Sequence, residues 1–98
     1  MILAIKKKWF NMILSGEKKD EYREIKPYYT SRFERLWQGS LIGGMAERKI
    51  CFRNGYSSNS PSFTATVTLD IGTGRPEWGA EKDKEYYRLH IVRVEETA

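Results

Sequence analysis

One stretch near the middle of the chain limits the possible folds more than any other. Residues 63–71 read FTATVTLDI, in which apolar side chains alternate with threonines and one aspartate. Successive residues of a β-strand point to opposite faces, so this period of two predicts a strand. We expect one face of it to lie on the core and the other to be polar, which is typical of antiparallel sheets.

The rest of the chain predicts two short helices and further strands. Apolar residues recur at helical spacing after Lys6, and Gly16 follows where a helix commonly ends in a left-handed residue. Ser31 and Glu34 have capping-box spacing, which predicts a second helix that ends near Gln38. The predicted elements are strands at 2–5, 20–25, 48–53, 63–71 and 85–94, helices at 7–15 and from 31, a turn at 43–44 and a hairpin loop at 54–61.

This order of elements predicts an α+β fold. The chain has 98 residues, enough for one small domain, so residues 1–98 are interpreted as a single unit. So many strands in so short a chain favour a sheet that curls into a small antiparallel β-barrel, with the two short helices closing it.

Charge is distributed unevenly along the chain. Residues 1–50 contain eleven Lys or Arg and six Asp or Glu, a balance of +5, whereas residues 51–98 contain six and seven, a balance of −1. A positive first half suits a polyanion such as RNA, DNA or a nucleotide. The apolar residues 1–5 are too few to cross a bilayer and precede three lysines, so we expect a cytoplasmic protein with no membrane partner.

The sequence offers few residues for a metal site or a disulfide bond. Cys51 is the single cysteine and His90 the single histidine, so an internal disulfide and a zinc-type cluster are both excluded. The carboxylates show no spacing that suits a metal ion, and we predict no metal and no cofactor. A lone histidine in a strand is more often packed or hydrogen-bonded than catalytic.

The segment SGEKKDEYR, residues 15–23, contains the candidate site. Lys18, Glu21 and Arg23 follow Gly16, and Glu21 and Arg23 share one face if residues 20–25 form a strand. A carboxylate between two cations leaves one positive charge, which suits a phosphate or an electron-rich base edge. A structural ion pair and a glycine that only ends a helix explain the same pattern without a ligand.

With a predicted strand and a capped helix before it, this segment resembles the start of an ASCH domain, of the activating signal cointegrator homology family. The G-x-K-x-x-E-x-R pattern of that family is matched by Gly16, Lys18, Glu21 and Arg23. The strand at 63–71 and YYRLHI at 86–91 also fit its layout. The resemblance implies a PUA-like β-barrel with a cleft between the first helix and the barrel, in a fold whose relatives mostly handle RNA or modified nucleosides.

A binding module is the first functional hypothesis. The resemblance and the basic first half predict a cleft that binds RNA, a nucleotide or a modified nucleoside, with Gly16 and Glu21 in its wall. Lys18 and Arg23 would contact an anion. Trp78 lies in a glycine-rich loop, where a large ring is expected to stack over a ligand.

A small hydrolase is the alternative, either amidohydrolase-like or a ribonuclease. Lys18 would stabilise an oxyanion, Glu21 would act as general base, and Glu77 or Glu81 would supply a second acid. ASCH relatives that deacylate modified cytidine have a threonine where this chain has Glu21, so their mechanism does not transfer unchanged. A protein-interaction module is a third possibility, and the sequence predicts no oligomeric state.

Overall fold

The computed structural model describes residues 1–38 and 44–97, which form a five-stranded sheet and two helices. The order of strands across the sheet is β1-β3-β4-β5-β2, so β1 and β2 are its two edges. The strands are β1 (Ile2–Ala4), β2 (Asp20–Arg23), β3 (Arg48–Arg53), β4 (Ser62–Thr73) and β5 (Glu85–Thr97).

The sheet curls through 226° into a half-barrel. β4 and β5 pair along most of their length, and register shifts at 64/65 and 66/67 introduce irregularities of the kind that bend and twist strands. The predicted α+β fold with a curled sheet and two short helices is confirmed. The sheet is mixed, however, because β1 runs parallel to β3 while the other three pairings are antiparallel.

The helices α1 (Lys7–Leu14) and α2 (Pro27–Leu36) cover the inner face of the half-barrel. Phe10 of α1 packs against Phe63, with ring centroids 5.0 Å apart, and Phe33 of α2 packs against Tyr87 at 5.1 Å. All four rings are buried in one apolar cluster. Burial of this cluster supplies the main driving force for the fold.

The predicted start of the second helix is wrong. α2 begins at Pro27 rather than at Ser31, because the fixed φ of proline suits the first helical position. The Ser31 hydroxyl donates to the Tyr28 carbonyl inside the helix, at 3.2 Å, and caps nothing. Since the helix starts early, β2 ends at Arg23 and not at the predicted residue 25.

The alternation of β4 is present, but its two faces do not divide cleanly into core and solvent. Thr66 and Thr68, on the face predicted to be polar, are 2% and 9% exposed, whereas Ile71 is 43% exposed. The Thr66 hydroxyl donates to the Glu95 carboxylate of β5, so its burial leaves that hydroxyl satisfied.

The predicted hairpin loop at 54–61 is present. Asn54 N–H donates to the Pro61 carbonyl at 2.9 Å and closes the loop between β3 and β4. The turn predicted at 43–44 lies partly outside the described residues. Within residues 1–38 and 44–97, neither helix is long and apolar enough to cross a membrane.

Candidate functional site

The position of Lys18 depends on how α1 ends. Gly16 adopts the left-handed conformation with φ +85°, and its N–H donates to the Ile13 carbonyl at 3.1 Å. Lys18 N–H then donates to the Met12 carbonyl at 2.9 Å, which folds the chain back along the last helical turn. This path directs Lys18 into the interior, where the residue is 1% exposed.

Glu21 lies between two cations. It shares the inner face of the sheet with Arg23, because their partners on β5 are the core residues Leu89 and Tyr87. The Lys18 ammonium donates to Glu21 Oε1 at 2.7 Å, and the Arg23 guanidinium donates to Glu21 Oε2. The side chains of Lys18, Glu21 and Arg23 are 0%, 7% and 12% exposed, so the cluster is nearly withdrawn from water.

The electrostatics of Lys18 reflect this burial. Burial lowers the pKa of its ammonium below the ordinary value of 10.5, and the Glu21 carboxylate offsets part of that effect. The rings of Trp9 and Tyr22 lie 5.4 Å and 5.1 Å from Lys18 Nζ and add cation–π attraction. With no exposed side-chain surface, Lys18 acts in this conformation by holding Glu21 in place rather than by touching a ligand.

Arg23 connects the cluster to the opposite edge of the sheet. Its guanidinium also donates to the Tyr22 carbonyl at 2.8 Å and to the Ala4 carbonyl of β1 at 3.0 Å. A planar guanidinium can make all these hydrogen bonds at once, which a lysine ammonium on a flexible stem cannot match.

A cavity of about 260 Å³ adjoins the Glu21–Arg23 pair, and we call it the Trp78 cavity. Charged and aromatic side chains line it together, and Ala4, Ile5 and Gly79 complete the wall. The side chains that carry its chemistry are Lys6, Trp9, Glu21, Tyr22, Arg23, Tyr29 and Trp78. Trp78 therefore lies in the same cavity as two of the charged residues singled out from the sequence.

The loop that carries Trp78 is anchored to the rest of the site at several points. Arg75 N–H donates to the Tyr22 hydroxyl at 3.0 Å, and the Arg75 guanidinium carbon lies 4.7 Å from the Trp78 ring centroid. Gly79 has φ +100°, and a Cβ there would lie 3.0 Å from Trp9 Cζ2. A glycine is needed at this position because the loop backbone packs directly on the Trp9 ring.

The other predicted site residues lie away from this cavity. Gly16 is exposed at the end of α1, and Glu77 is exposed in the 3₁₀ helix Pro76–Trp78. Glu81 lines a neighbouring cavity of about 420 Å³, where its side chain is 73% exposed and pairs with Lys84 at 3.2 Å. Among the described residues, neither loop carboxylate lines the Trp78 cavity.

Sequence reasoning missed most of the aromatic wall. Trp9 belongs to the apolar stripe of α1, yet it is half-buried and lines the cavity. Tyr29 of α2 also lines the cavity and was not singled out from the sequence. Helical periodicity alone carries no signal that separates Trp9 from its neighbour Phe10.

The outer face of the sheet holds a separate polar network around His90. His90 Nδ1 lies 2.6 Å from a carboxylate oxygen of Asp20, and Nε2 lies 2.9 Å from one of Asp70. Asp70 also accepts two hydrogen bonds from Arg88, at 2.7 Å and 2.8 Å. Both imidazole nitrogens are occupied, as expected for a hydrogen-bonded rather than catalytic histidine.

Comparisons of the chain with protein-family models, with curated proteins and with solved structures found no match. The resemblance to ASCH domains therefore depends on the motif residues and on the order of elements. Within the described residues, no group of three His, Cys, Asp or Glu side chains is placed to hold a metal ion.

Proposed function

We propose that this chain is an ASCH-like module that binds the base of a nucleoside, either free or within a nucleotide or RNA, in the Trp78 cavity. The observation that carries the proposal is that one cavity combines stacking rings with a fixed carboxylate–guanidinium pair. Independent support comes from the ASCH pattern, which is matched by Gly16, Lys18, Glu21 and Arg23.

The cavity offers both kinds of contact that an unstacked base uses. Aromatic rings stack on the faces of a base, and polar side chains hydrogen-bond its edges. Each carboxylate oxygen of Glu21 accepts a single hydrogen bond from a cation, so each keeps a lone pair for a donor on the ligand. An exocyclic amine is such a donor, and we therefore expect cytosine, adenine or guanine to bind better than uracil.

The charge of the site favours an anionic or electron-rich ligand. Lys18 and Arg23 outweigh the single charge of Glu21, and Lys6 at the cavity wall is exposed. A residual positive charge in a partly enclosed site attracts phosphate. The cytoplasmic location expected from the sequence belongs to the same proposal.

The geometry supports binding better than hydrolysis. A general base needs a lone pair aimed at the attacking water, and a second acid must lie within hydrogen-bond reach of the leaving group. Neither Glu77 nor Glu81 lines the cavity, so neither of the loop carboxylates expected to supply the second acid is placed there.

Calorimetric titration with a panel of nucleosides, nucleotides and acylated cytidine tests the proposal. Trp78→Ala should weaken binding of the best ligand by about ten-fold, the usual size of one stacked ring, whereas Trp78→Phe should keep most of the affinity. Val92→Ala, an exposed apolar change on β5, serves as the control. Chromatography of the incubated ligands detects turnover at the same time.

Three results would contradict this function. The first is the absence of binding to every member of the panel, and the second is an affinity that Trp78→Ala leaves unchanged. The third is hydrolysis of a nucleoside that Glu21→Gln abolishes, which would favour the hydrolase.

A further inference from the structure

A second cavity, of about 450 Å³, adjoins the Trp78 cavity, and we call it the Arg53 cavity. Three cations and three tyrosines supply its polar and aromatic lining, and among the described residues no Asp or Glu lines it. These side chains are Arg23, Lys26, Tyr28, Tyr29, Arg53 and Tyr56. The lining is therefore more positive than that of the Trp78 cavity, where Glu21 offsets the cations.

Arg53 lines this cavity, and part of its guanidinium is unsatisfied among the described residues. It ends β3, and its carbonyl accepts a hydrogen bond of 2.8 Å from Ile5 N–H, which fixes its backbone beside β1. Its Nε is buried and has no hydrogen-bond partner among the residues that the structure describes. An unpaired buried donor on a cation costs free energy, and a shift of the guanidinium toward an anionic oxygen on a ligand would relieve that cost.

Tyr56 adds a surface for stacking. It lies in the loop between β3 and β4 and is 93% exposed, although a phenol ring ordinarily gains free energy from contact with other groups. The ring lines the Arg53 cavity together with Tyr28, which is 54% exposed. Exposed rings beside cations are the combination found in sites for single-stranded nucleic acids.

The two cavities are adjacent and share part of their lining. Arg23 and Tyr29 line both of them, as does Ala4 of β1. The cavities are therefore close enough for one single-stranded chain to occupy both.

We propose that the Arg53 cavity is a second subsite, in which Arg53 and Lys26 contact the phosphate that follows the bound base and Tyr56 stacks on the next base. The ligand is then a single-stranded polynucleotide rather than a lone nucleoside. This inference rests on the proposed function, because it assigns the first base to the Trp78 cavity.

Binding of a labelled hexanucleotide and of its best constituent nucleoside to the full chain tests the inference. The hexanucleotide should bind at least about ten-fold tighter, since it adds a phosphate contact and a stacked base. Arg53→Ala should weaken binding of the hexanucleotide by about ten-fold and leave the affinity for the nucleoside unchanged. It should also reduce the slope of log K against log salt by about one.

Two further variants make the result independent of folding defects. The Lys26 side chain is exposed, so its removal leaves the core intact. Lys26→Ala should therefore also weaken binding of the hexanucleotide and not that of the nucleoside. Lys49→Ala removes an exposed charge from the same strand as Arg53, outside the cavity, and should affect the hexanucleotide less than Arg53→Ala does. If Lys49→Ala and Arg53→Ala weakened binding of the hexanucleotide equally, the protein would attract the phosphates through its overall positive charge, and the proposed subsite would be overturned.

The outcomes separate this inference from the proposed function. Absence of binding to every nucleoside overturns the proposed function, whereas nucleoside binding with a hexanucleotide that binds no tighter overturns the second subsite alone. A hexaglutamate peptide that binds as tightly as the hexanucleotide would also overturn the subsite, because stacking would contribute nothing.

Discussion

Arg23 on one edge strand of the half-barrel donates a hydrogen bond of 3.0 Å to the Ala4 carbonyl on the other edge strand. A sheet that curls through 226° brings its two edges toward each other without pairing them into a ladder. The side chain of Arg23 spans that gap and binds Glu21 with the same guanidinium. The shape of the half-barrel is therefore coupled to the charges of the candidate site.

Arg23→Lys should loosen this connection. A lysine keeps the charge but cannot bind Glu21, Tyr22 and Ala4 together, so we expect a loss of about 1–2 kcal/mol in the free energy of unfolding. Amides of β1 should exchange faster with solvent, because the edge strand loses a tether. Denaturant unfolding and hydrogen exchange measure the two effects.

The control for this change is Arg93→Lys, on the outer part of β5, where the side chain is 57% exposed and pairs with Glu95. It should alter stability by no more than about 0.5 kcal/mol. Unchanged exchange of β1 amides in Arg23→Lys would show that the hydrogen bond to Ala4 does not restrain the edge.

Lys18→Met should destabilise the fold strongly. Methionine fills similar space, but the substitution leaves the buried carboxylate of Glu21 with Arg23 as its single cation. Breaking a buried ion pair on one side typically costs 3–5 kcal/mol, and because Arg23 remains we expect about 3 kcal/mol. The measurement is urea unfolding.

Lys19→Met is the matched control, because Lys19 is the exposed neighbour of Lys18 in the sequence. It should change stability by less than about 0.5 kcal/mol. Equal stability of Lys18→Met and Lys19→Met would mean that the ammonium of Lys18 does not compensate Glu21.

Local patterns predicted much of the fold. The period of two in β4 and the helical stripe of α1 are properties of consecutive residues, and both elements lie where the sequence placed them. The spacing of Lys18, Glu21 and Arg23 is also local, which explains why the cluster was recognisable. The start of α2 was not predicted correctly, because Pro27 and the Ser31 capping-box pattern are two competing local signals for the first residue of a helix.

Contacts between segments that are distant in the sequence could not be predicted from local patterns. The hydrogen bond from Arg75 to Tyr22 joins residues 53 positions apart, and it is one of the contacts that place Trp78 beside Glu21. The parallel pairing of β1 with β3 likewise depends on the curl of the whole sheet. Such arrangements follow from packing, for which no short motif of this chain is a signal.

Gly16→Ala tests the turn that directs Lys18 inward. A Cβ at Gly16 would meet nothing within 4 Å, so the substitution adds backbone strain at φ +85° and no clash. We expect a loss of about 1 kcal/mol in the free energy of unfolding, and a smaller loss for Gly16→Asn, because asparagine tolerates this conformation better. Identical losses in the two variants would contradict the assignment to backbone strain.

The His90 network should make stability depend on pH. Burial alone would lower the pKa of His90, but hydrogen bonds to Asp70 and Asp20 outweigh it and raise the pKa above the ordinary value of 6.5. A group whose pKa is higher in the folded state than in the unfolded state stabilises the fold when it is protonated. This stabilisation is complete at pH values below its pKa in the unfolded state and is lost as pH rises through its pKa in the folded state. The free energy of unfolding should therefore fall as pH increases from the ordinary histidine value of 6.5 through the raised pKa of His90.

His90→Gln keeps a polar side chain between the two carboxylates but does not titrate, so it should remove this part of the pH dependence. Urea unfolding of both proteins at a series of pH values gives the difference directly, and groups unaffected by the substitution cancel in it. If the difference in stability between the two proteins stayed constant across this range, or widened as pH rose, the imidazole would not be the titrating group that stabilises the outer face of the sheet.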